Sequence, residues 1–101
     1  MKRYTGAERK QLRGLAHNLT PIVQIGKNGL TDGAIHSIDF ALESHELIKV
    51  KFAEFKDQKK QLSESISEKT FCEWVGMIGN ISIFYREQSD PNKQKVILAK
   101  K

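Results

Sequence analysis

Apolar residues recur at three- and four-residue intervals in three stretches of the chain, and this pattern predicts three helices. The first covers about residues 6–18 and follows a capping box, in which Thr5 and Glu8 bond each other's main-chain amides. The second starts near Thr31, a favourable N-cap residue, and the third covers residues 57–69. The apolar side of the first helix contains Leu12, Leu15, Ala16 and Leu19, and that of the third contains Leu62 and Ile66.

Short runs with the composition of β-strands lie between and after these helices. The first contains Ile22, Val23 and Ile25 and is apolar enough to lie inside a sheet. The second, ELIKVKF, has the alternation of a half-buried strand with one basic face: Ile48, Val50 and Phe52 against Lys49 and Lys51. Two more strands flank the turn-forming pair Gly79-Asn80 and are expected to form a hairpin.

The order helix, strand, helix, strand, helix, strand, strand predicts an α/β fold. Helical crossovers imply parallel pairing of the early strands and the final hairpin is antiparallel, so we expect a mixed four-stranded sheet covered by helices. With 101 residues and 39% hydrophobic content, the chain can form one compact domain. We assign residues 1–88 to this domain and residues 89–101 to a polar tail, in which VILA is a candidate edge strand.

The cysteine content and the N-terminal sequence indicate the cellular compartment of the protein. Cys72 is the single cysteine and cannot form an internal disulfide. The opening sequence MKRYTGAERK has no apolar stretch that could act as a signal peptide or membrane span. We therefore expect a cytoplasmic protein with no membrane partner.

The formal net charge of +5 comes entirely from the first third of the chain. Residues 1–30 contain six basic side chains and one acidic side chain, whereas residues 31–101 contain eleven of each. On the predicted first helix, Lys10, Arg13 and His17 cluster opposite the apolar side, and Arg3 precedes the helix. Such a concentrated basic surface favours a polyanion as partner, and a basic face kept for solubility is the alternative.

The sequence Gly26-Lys27-Asn28-Gly29 separates the first strand from the second helix. Glycines carry no Cβ, so a sugar-phosphate backbone could approach the main chain, and Lys27 adds a full positive charge next to a helix N-terminus. Asn28 tolerates left-handed backbone and can hydrogen-bond a sugar, base or phosphate. Lys49 and Lys51 either widen this cationic surface or face water. An ordinary tight turn is the alternative interpretation of the loop.

Other nucleotide-binding and catalytic motifs do not fit the sequence. GKNG lacks the glycine pattern of a dinucleotide fingerprint and the Ser/Thr of a P-loop, and the G-x-x-G loop of a KH module joins two helices rather than following a strand. The sequence contains no H-x-x-x-H, C-x-x-C or nucleophile elbow, so an enzyme would require its histidines and carboxylates to converge in the fold. We expect no catalytic residues, metal, cofactor or small-molecule substrate.

Several stretches together resemble a known family. They are Lys10, Leu12, Arg13, Ala16, His17 and Leu19 in the first helix, PIVQIGKNGLT at 21–31, HELIKVK at 45–51, Ile78-Gly79, and FYR at 84–86. On these residues, the chain from about Thr5 to Arg86 resembles the CRM domain, named for chloroplast RNA splicing and ribosome maturation. It also resembles the stand-alone bacterial form of that domain, the YhbY-like proteins.

This resemblance implies a fold similar to the C-terminal domain of bacterial translation initiation factor three. It also implies a non-catalytic, monomeric protein that binds structured ribosomal RNA in precursors of the large (50S) subunit, through the glycine loop and the adjoining basic surface. The family's loop and helix positions carry over to Lys10, Arg13, Gly26, Lys27 and Gly29, whereas Asn28 occupies a variable position. The tail after Arg86 gains no role from the resemblance. A protein-interaction adaptor, on the ribosome or another assembly, is the alternative function.

Overall fold

The computed structural model describes residues 4–94 and 96, and in this part of the chain the elements follow the predicted order. The helices are α1 (Gly6–Ala16), α2 (Asp32–His45) and α3 (Lys59–Thr70). The strands are β1 (Val23–Ile25), β2 (Leu47–Phe52), β3 (Glu73–Ile78) and β4 (Ile81–Tyr85). Short 3-10 turns cover Lys56–Gln58 and Pro91–Lys93, and the first of these explains why α3 begins two residues later than the pattern predicts.

Side-chain caps fix the starts of the first two helices. The Glu8 amide donates to Thr5 Oγ1 at 3.1 Å while the Thr5 amide donates to Glu8 Oε1 at 3.0 Å, so the predicted capping box is confirmed. Thr31 is the N-cap of α2, as predicted, and its hydroxyl accepts from the Ala34 amide at 3.1 Å. These local bonds satisfy amides that would otherwise lack an intrahelical partner.

The four strands form a mixed sheet in the order β1-β2-β4-β3, which confirms the predicted fold class. β1 pairs with β2 in parallel, and β4 pairs antiparallel with both β2 and β3. The β3–β4 hairpin turns at Gly79-Asn80, where Gly79 has a φ of 60°. The prediction that the first strand lies inside the sheet is wrong, because β1 is a three-residue edge strand and Ile22 before it is exposed.

Apolar residues pack on both faces of the sheet. On one face, α2 and α3 cover the side chains of Ile48, Val50, Phe52 and Phe84, which are almost fully buried. On the other face, Leu12 and Ala16 of α1 pack against Leu47, Val75, Ile83 and Tyr85. Phe84 and Tyr85 are core residues, and Trp74 is partly buried against the first cluster.

The sequence predicts a wider apolar side for α1 than the side that packs against the sheet. Leu12 and Ala16 are fully buried, but Leu15 is 49% exposed and Leu19 is 38% exposed. Both leucines line a groove of about 450 Å³, together with Ile22 and Val96. Helical periodicity identified the correct side of α1, but α1 covers only part of the sheet, so leucines at the margin remain open to solvent.

The segment after β4 is bonded to the domain. The buried carboxylate of Glu46 accepts from the Gln88 amide at 2.6 Å and from the Val96 amide at 2.8 Å. Arg86 donates to Asp39 Oδ1 at 2.6 Å and to the Thr70 carbonyl at 2.8 Å, and so joins the segment to α2 and α3. Of the candidate strand VILA, Val96 is in no strand, and residues 97–99 lie outside the described residues.

Candidate nucleic-acid interface

The GKNG loop is a tight turn at the carboxyl end of β1. The Gly29 amide donates to the Gly26 carbonyl at 3.0 Å, and the Thr31 amide donates to the Gly29 carbonyl at 3.1 Å. Gly29 has a φ of 72°, a left-handed conformation that glycine adopts readily. Lys27 and Asn28 occupy the centre of the turn and are exposed. The turn therefore presents its lysine and asparagine to solvent.

Helix α2 starts close behind this loop, with only Leu30 between Gly29 and the N-cap Thr31. The first amides of a helix carry about half a positive charge, which favours an anion near the loop. Asp32 lies in the first turn of α2 and partly offsets this field. The full charge of Lys27 is therefore the main attraction that the loop offers a phosphate.

Hydrogen bonds fix the loop against the end of β2. The carbonyl oxygen of Ile25, the last residue of β1, accepts from the amides of Ala53 and Glu54 at 3.0 and 3.2 Å. A methyl group placed on Gly29 would lie 3.4 Å from Cε2 of Phe55, so this ring packs directly over the glycine. The base of the loop is therefore held by the segment after β2, while Lys27 and Asn28 at the tip of the loop are exposed.

The basic side of α1 lies along the opposite sheet face from α2 and α3. Lys10 and Arg13 are exposed, and Arg13 also donates from Nη1 to the Val75 carbonyl at 3.1 Å. Its stem crosses Gly76, where an added methyl would lie 2.8 Å from Arg13 Cδ. Arg9 is paired with Glu73 at 3.0 Å. Arg13 is thus held by the sheet, whereas the charge of Arg9 is largely balanced within the fold.

His17 and Lys49 meet where α1 ends. His17 is the C-cap residue of α1, and its side chain is exposed. Lys49 Nζ donates to the carbonyl of Leu19 at 2.9 Å and lies 3.5 Å from that of His17. The sequence predicts that Lys49 either widens the cationic surface or faces water, and neither role describes this contact. Its ammonium group bonds the carbonyls at the end of α1, which carry partial negative charge.

Lys51 lies beside the strand that leads into the loop. Alternate residues of a strand share a face, so Lys49 and Lys51 lie on the face that α1 covers through Leu47. Lys51 is exposed, and in the β1–β2 register it pairs with Gln24, three residues before Lys27. Lys51 therefore neighbours β1, whereas Arg13 contacts β3 at the opposite edge of the sheet.

One predicted site residue, Arg3, lies outside the described residues. The other nine fall into three groups: Lys10, Arg13 and His17 on or at the end of α1; Gly26, Lys27, Asn28 and Gly29 in the loop; and Lys49 and Lys51 on β2. The structure assigns clear structural contacts to Arg13, Gly29 and Lys49.

Within residues 4–94 and 96, no group of three or more His, Cys, Asp or Glu side chains is placed to hold a metal ion. Burial raises the pKa of the Cys72 thiol to about 11, so this thiol is mostly protonated at neutral pH and weakly nucleophilic. In the same described part of the chain, no helix has the length and apolar character needed to cross a membrane.

Comparison with known proteins identifies the family. A model of the CRS1/YhbY (CRM) domain matches residues 5–86. The chain belongs to the CRM domain family. The match ends at Arg86, the residue that bonds both α2 and α3, so it includes the whole sheet, all three helices and the GKNG loop.

Relatives of similar length support this assignment. A Haemophilus influenzae protein named RNA-binding protein is 42% identical over 88 residues, which is 86% of this chain and 89% of that protein. A Bacillus subtilis protein named as a probable RNA-binding protein is 40% identical over 91 residues, which is 89% of this chain and 94% of that protein. These stand-alone CRM proteins are bacterial, as the resemblance implied.

A solved structure has the same fold. The solution structure of a Staphylococcus aureus protein matches with a TM-score of 0.78 at 42% sequence identity, and the match covers 94% of this chain and 100% of that one. The shared fold therefore extends over nearly the whole of both chains.

Sequence reasoning did not identify Phe55 as part of this surface. Its ring packs over Gly29 and is still 39% exposed. The signal in the sequence was an aromatic residue within the polar run AEFKDQ, directly after an amphipathic strand. Phe84 and Tyr85, by contrast, are core residues.

Proposed function

We propose that this protein is a non-catalytic RNA-binding protein that contacts structured ribosomal RNA in precursors of the large ribosomal subunit, in the cytoplasm. The observation that carries the proposal is the exposed Lys27-bearing turn, which directly follows the strand that pairs with Lys51. The names of the bacterial relatives support RNA as the ligand. The large-subunit setting rests on the resemblance to the YhbY-like proteins.

Binding begins with the phosphate backbone. Lys10, Arg13, Lys27 and Lys51 are exposed cations, and together they would neutralise phosphates of an RNA helix or loop. Glycine at position 26 leaves room for close approach, since nothing lies within 4 Å of a methyl group added there. Contacts of this kind set the position and orientation of the RNA and carry little sequence information.

Two of the proposed site residues are held by contacts within the fold. Lys49 holds the end of α1 against β2, and Arg13 is fixed by the Val75 carbonyl and Gly76. A guanidinium held in place loses less conformational entropy when it binds a phosphate than a free side chain does. We therefore assign Lys49 a positioning role and Arg13 a direct contact.

Crosslinking in cells tests this function. Ultraviolet crosslinking of the tagged protein, followed by mapping of the contacted nucleotides, should recover large-subunit ribosomal RNA, and the protein should sediment with large-subunit precursors. Lys27→Ala should reduce both signals, whereas Lys69→Ala, an exposed lysine in the last turn of α3, should not. Association that is insensitive to Lys27→Ala and Arg13→Ala would favour the adaptor alternative.

The absence of catalysis is tested on the same RNA. Incubation of the purified protein with the crosslinked RNA element, with and without divalent metal ions, should leave the RNA intact. Metal-dependent cleavage that follows the protein through purification would contradict the non-catalytic assignment. Sedimentation of the purified protein tests the proposed monomeric state.

A further inference from the structure

The side chain of Phe55 is placed where an RNA base could stack. Its ring covers Gly29 of the GKNG loop, at 3.4 Å from a methyl group placed on that glycine. The amides of Ala53 and Glu54 fix the preceding segment to the Ile25 carbonyl, and the Gln58 amide donates to the Phe55 carbonyl at 2.9 Å. Hydrogen bonds therefore fix the main chain before and after Phe55, beside the loop.

Fold stability does not account for a phenylalanine at this position. Phe55 has a φ of 57° and a ψ of 35°, in the left-handed region that glycine and asparagine adopt more readily than an aromatic residue. Its side chain is 39% exposed, and its contact with Gly29 is one that a smaller apolar side chain could also make. An exposed aromatic ring next to a phosphate-binding loop is instead typical of proteins that stack unpaired bases.

The charges around Phe55 favour a base over a phosphate at the ring. Glu54 and Asp57 lie on either side of it, with Lys56 between, and these residues line a shallow groove of about 380 Å³. The two carboxylates would repel a phosphate, whereas an uncharged base could enter the groove. The phosphate would then lie on the Lys27 side of the loop.

We infer that Phe55 stacks on an unpaired base of the nucleotide whose phosphate is bound by the GKNG loop. This inference rests on the proposed function and narrows its ligand to RNA with an unpaired nucleotide beside the contacted backbone. The loop then binds the phosphate of this nucleotide, and Phe55 distinguishes unpaired from paired RNA.

The first experiment compares affinities for an RNA hairpin with an unpaired oligoadenylate loop and for the same hairpin with abasic sugars in the loop. Phe55→Leu retains apolar cover for Gly29 and should weaken binding to the first RNA about tenfold, with no effect on the abasic RNA. The slope of log K against log salt should be unchanged by Phe55→Leu, because no charge is removed. Phe71→Leu, which changes an exposed phenylalanine before β3, is the matched control.

The outcomes separate this inference from the proposed function. If the wild-type protein binds the hairpin with a steep salt slope and Phe55→Leu binds it equally well, stacking is wrong and RNA binding stands. An equal loss for both RNAs would mean that Phe55 supports the loop without stacking, which also overturns the inference. If the wild-type protein binds neither RNA, the proposed function and the stacking inference both fail.

A fluorescence experiment does not depend on affinity. Trp74 is the single tryptophan of the chain, so Trp74→Phe combined with Phe55→Trp places one reporter at the loop. Base stacking on the indole should quench its emission when the hairpin is added. The same substitution at Phe71 in the Trp74→Phe background should give no quenching. Equal quenching at both positions, or none at position 55, would contradict stacking.

Discussion

The ammonium group of Lys49 lies 2.9 Å from the main-chain oxygen of Leu19, so an inner strand of the sheet closes the C-terminal end of α1. This bond links the segment after α1 to β2. The bond also engages the ammonium group of Lys49, which the sequence pattern alone predicts to lie on the surface. Much of the candidate interface is organised in this way, with some basic residues holding the surface in place and others left open to a ligand.

Removal of the Lys49 amine should therefore affect folding. Lys49→Met keeps the aliphatic stem but leaves the carbonyl of Leu19 without this donor, and should lower the free energy of unfolding by about 1 kcal/mol. Lys51→Met, on the same face but exposed, should change it by less than about 0.5 kcal/mol. Urea denaturation measures the free energy of unfolding of both variants. Equal effects would contradict the positioning role of Lys49.

The two glycines of the loop should respond differently to alanine. Gly29→Ala forces a side chain into a φ of 72°, with its methyl group in ordinary contact with the Phe55 ring, and should cost about 1 kcal/mol of stability or more. Gly26→Ala meets open space and should leave stability within about 0.5 kcal/mol of wild type. Because its methyl group would obstruct only a ligand, Gly26→Ala should still weaken RNA binding. Unchanged affinity would mean that RNA does not approach the main chain at Gly26.

Glu46 should be the main anchor of the segment after β4. Its buried carboxylate accepts from the amides of Gln88 and Val96, so Glu46→Gln replaces one acceptor oxygen with a donor and should cost about 2 kcal/mol. Hydrogen exchange at the Gln88 and Val96 amides should accelerate in this variant. Glu64→Gln, an exposed substitution on α3, is the control and should alter neither quantity. Unchanged exchange would show that the segment is held by other bonds.

Stability should fall at alkaline pH. Burial raises the pKa of Cys72 from 9.0 to about 11, and burial with the nearby Glu87 carboxylate raises the pKa of Tyr4 from 10.0 to about 12. The native state therefore retains protons that the unfolded chain releases, so these groups stabilise fully below pH 9 and progressively less up to about pH 12.

Denaturant midpoints measured from neutral to alkaline pH should show this loss. Tyr4→Phe removes one of the titrating groups and should make the decline shallower above pH 10. Stability that rises through this window would contradict the assignment of protonated, buried Tyr4 and Cys72.

The features predicted correctly from sequence are those that depend on neighbouring residues. The Thr5–Glu8 box, the Thr31 cap and the Gly79-Asn80 turn are all set within four residues of chain, and the alternation of β2 identifies its buried side. The loop was also recognisable, because glycine at both ends of a charged turn is a local pattern.

Features that depend on distant parts of the chain were missed. The edge position of β1 follows from β4 pairing with β2 and β3, which an apolar run of residues does not reveal. The exposure of Leu15 depends on where α1 crosses the sheet, and the bond from Lys49 depends on the path of the chain through Leu19. Phe55 is adjacent to Gly29 through a contact between residues far apart in sequence.

The salt dependence of RNA binding tests the central claim most directly, because it counts the phosphates that the loop and basic side neutralise. If the wild-type protein contacts about six phosphates, log K should fall with log salt at a slope of roughly −4 to −5. Lys27→Ala should flatten that slope by about one unit, whereas Lys69→Ala should leave it unchanged. A Lys27→Ala slope equal to that of the wild-type protein would show that the GKNG loop does not contact the RNA backbone.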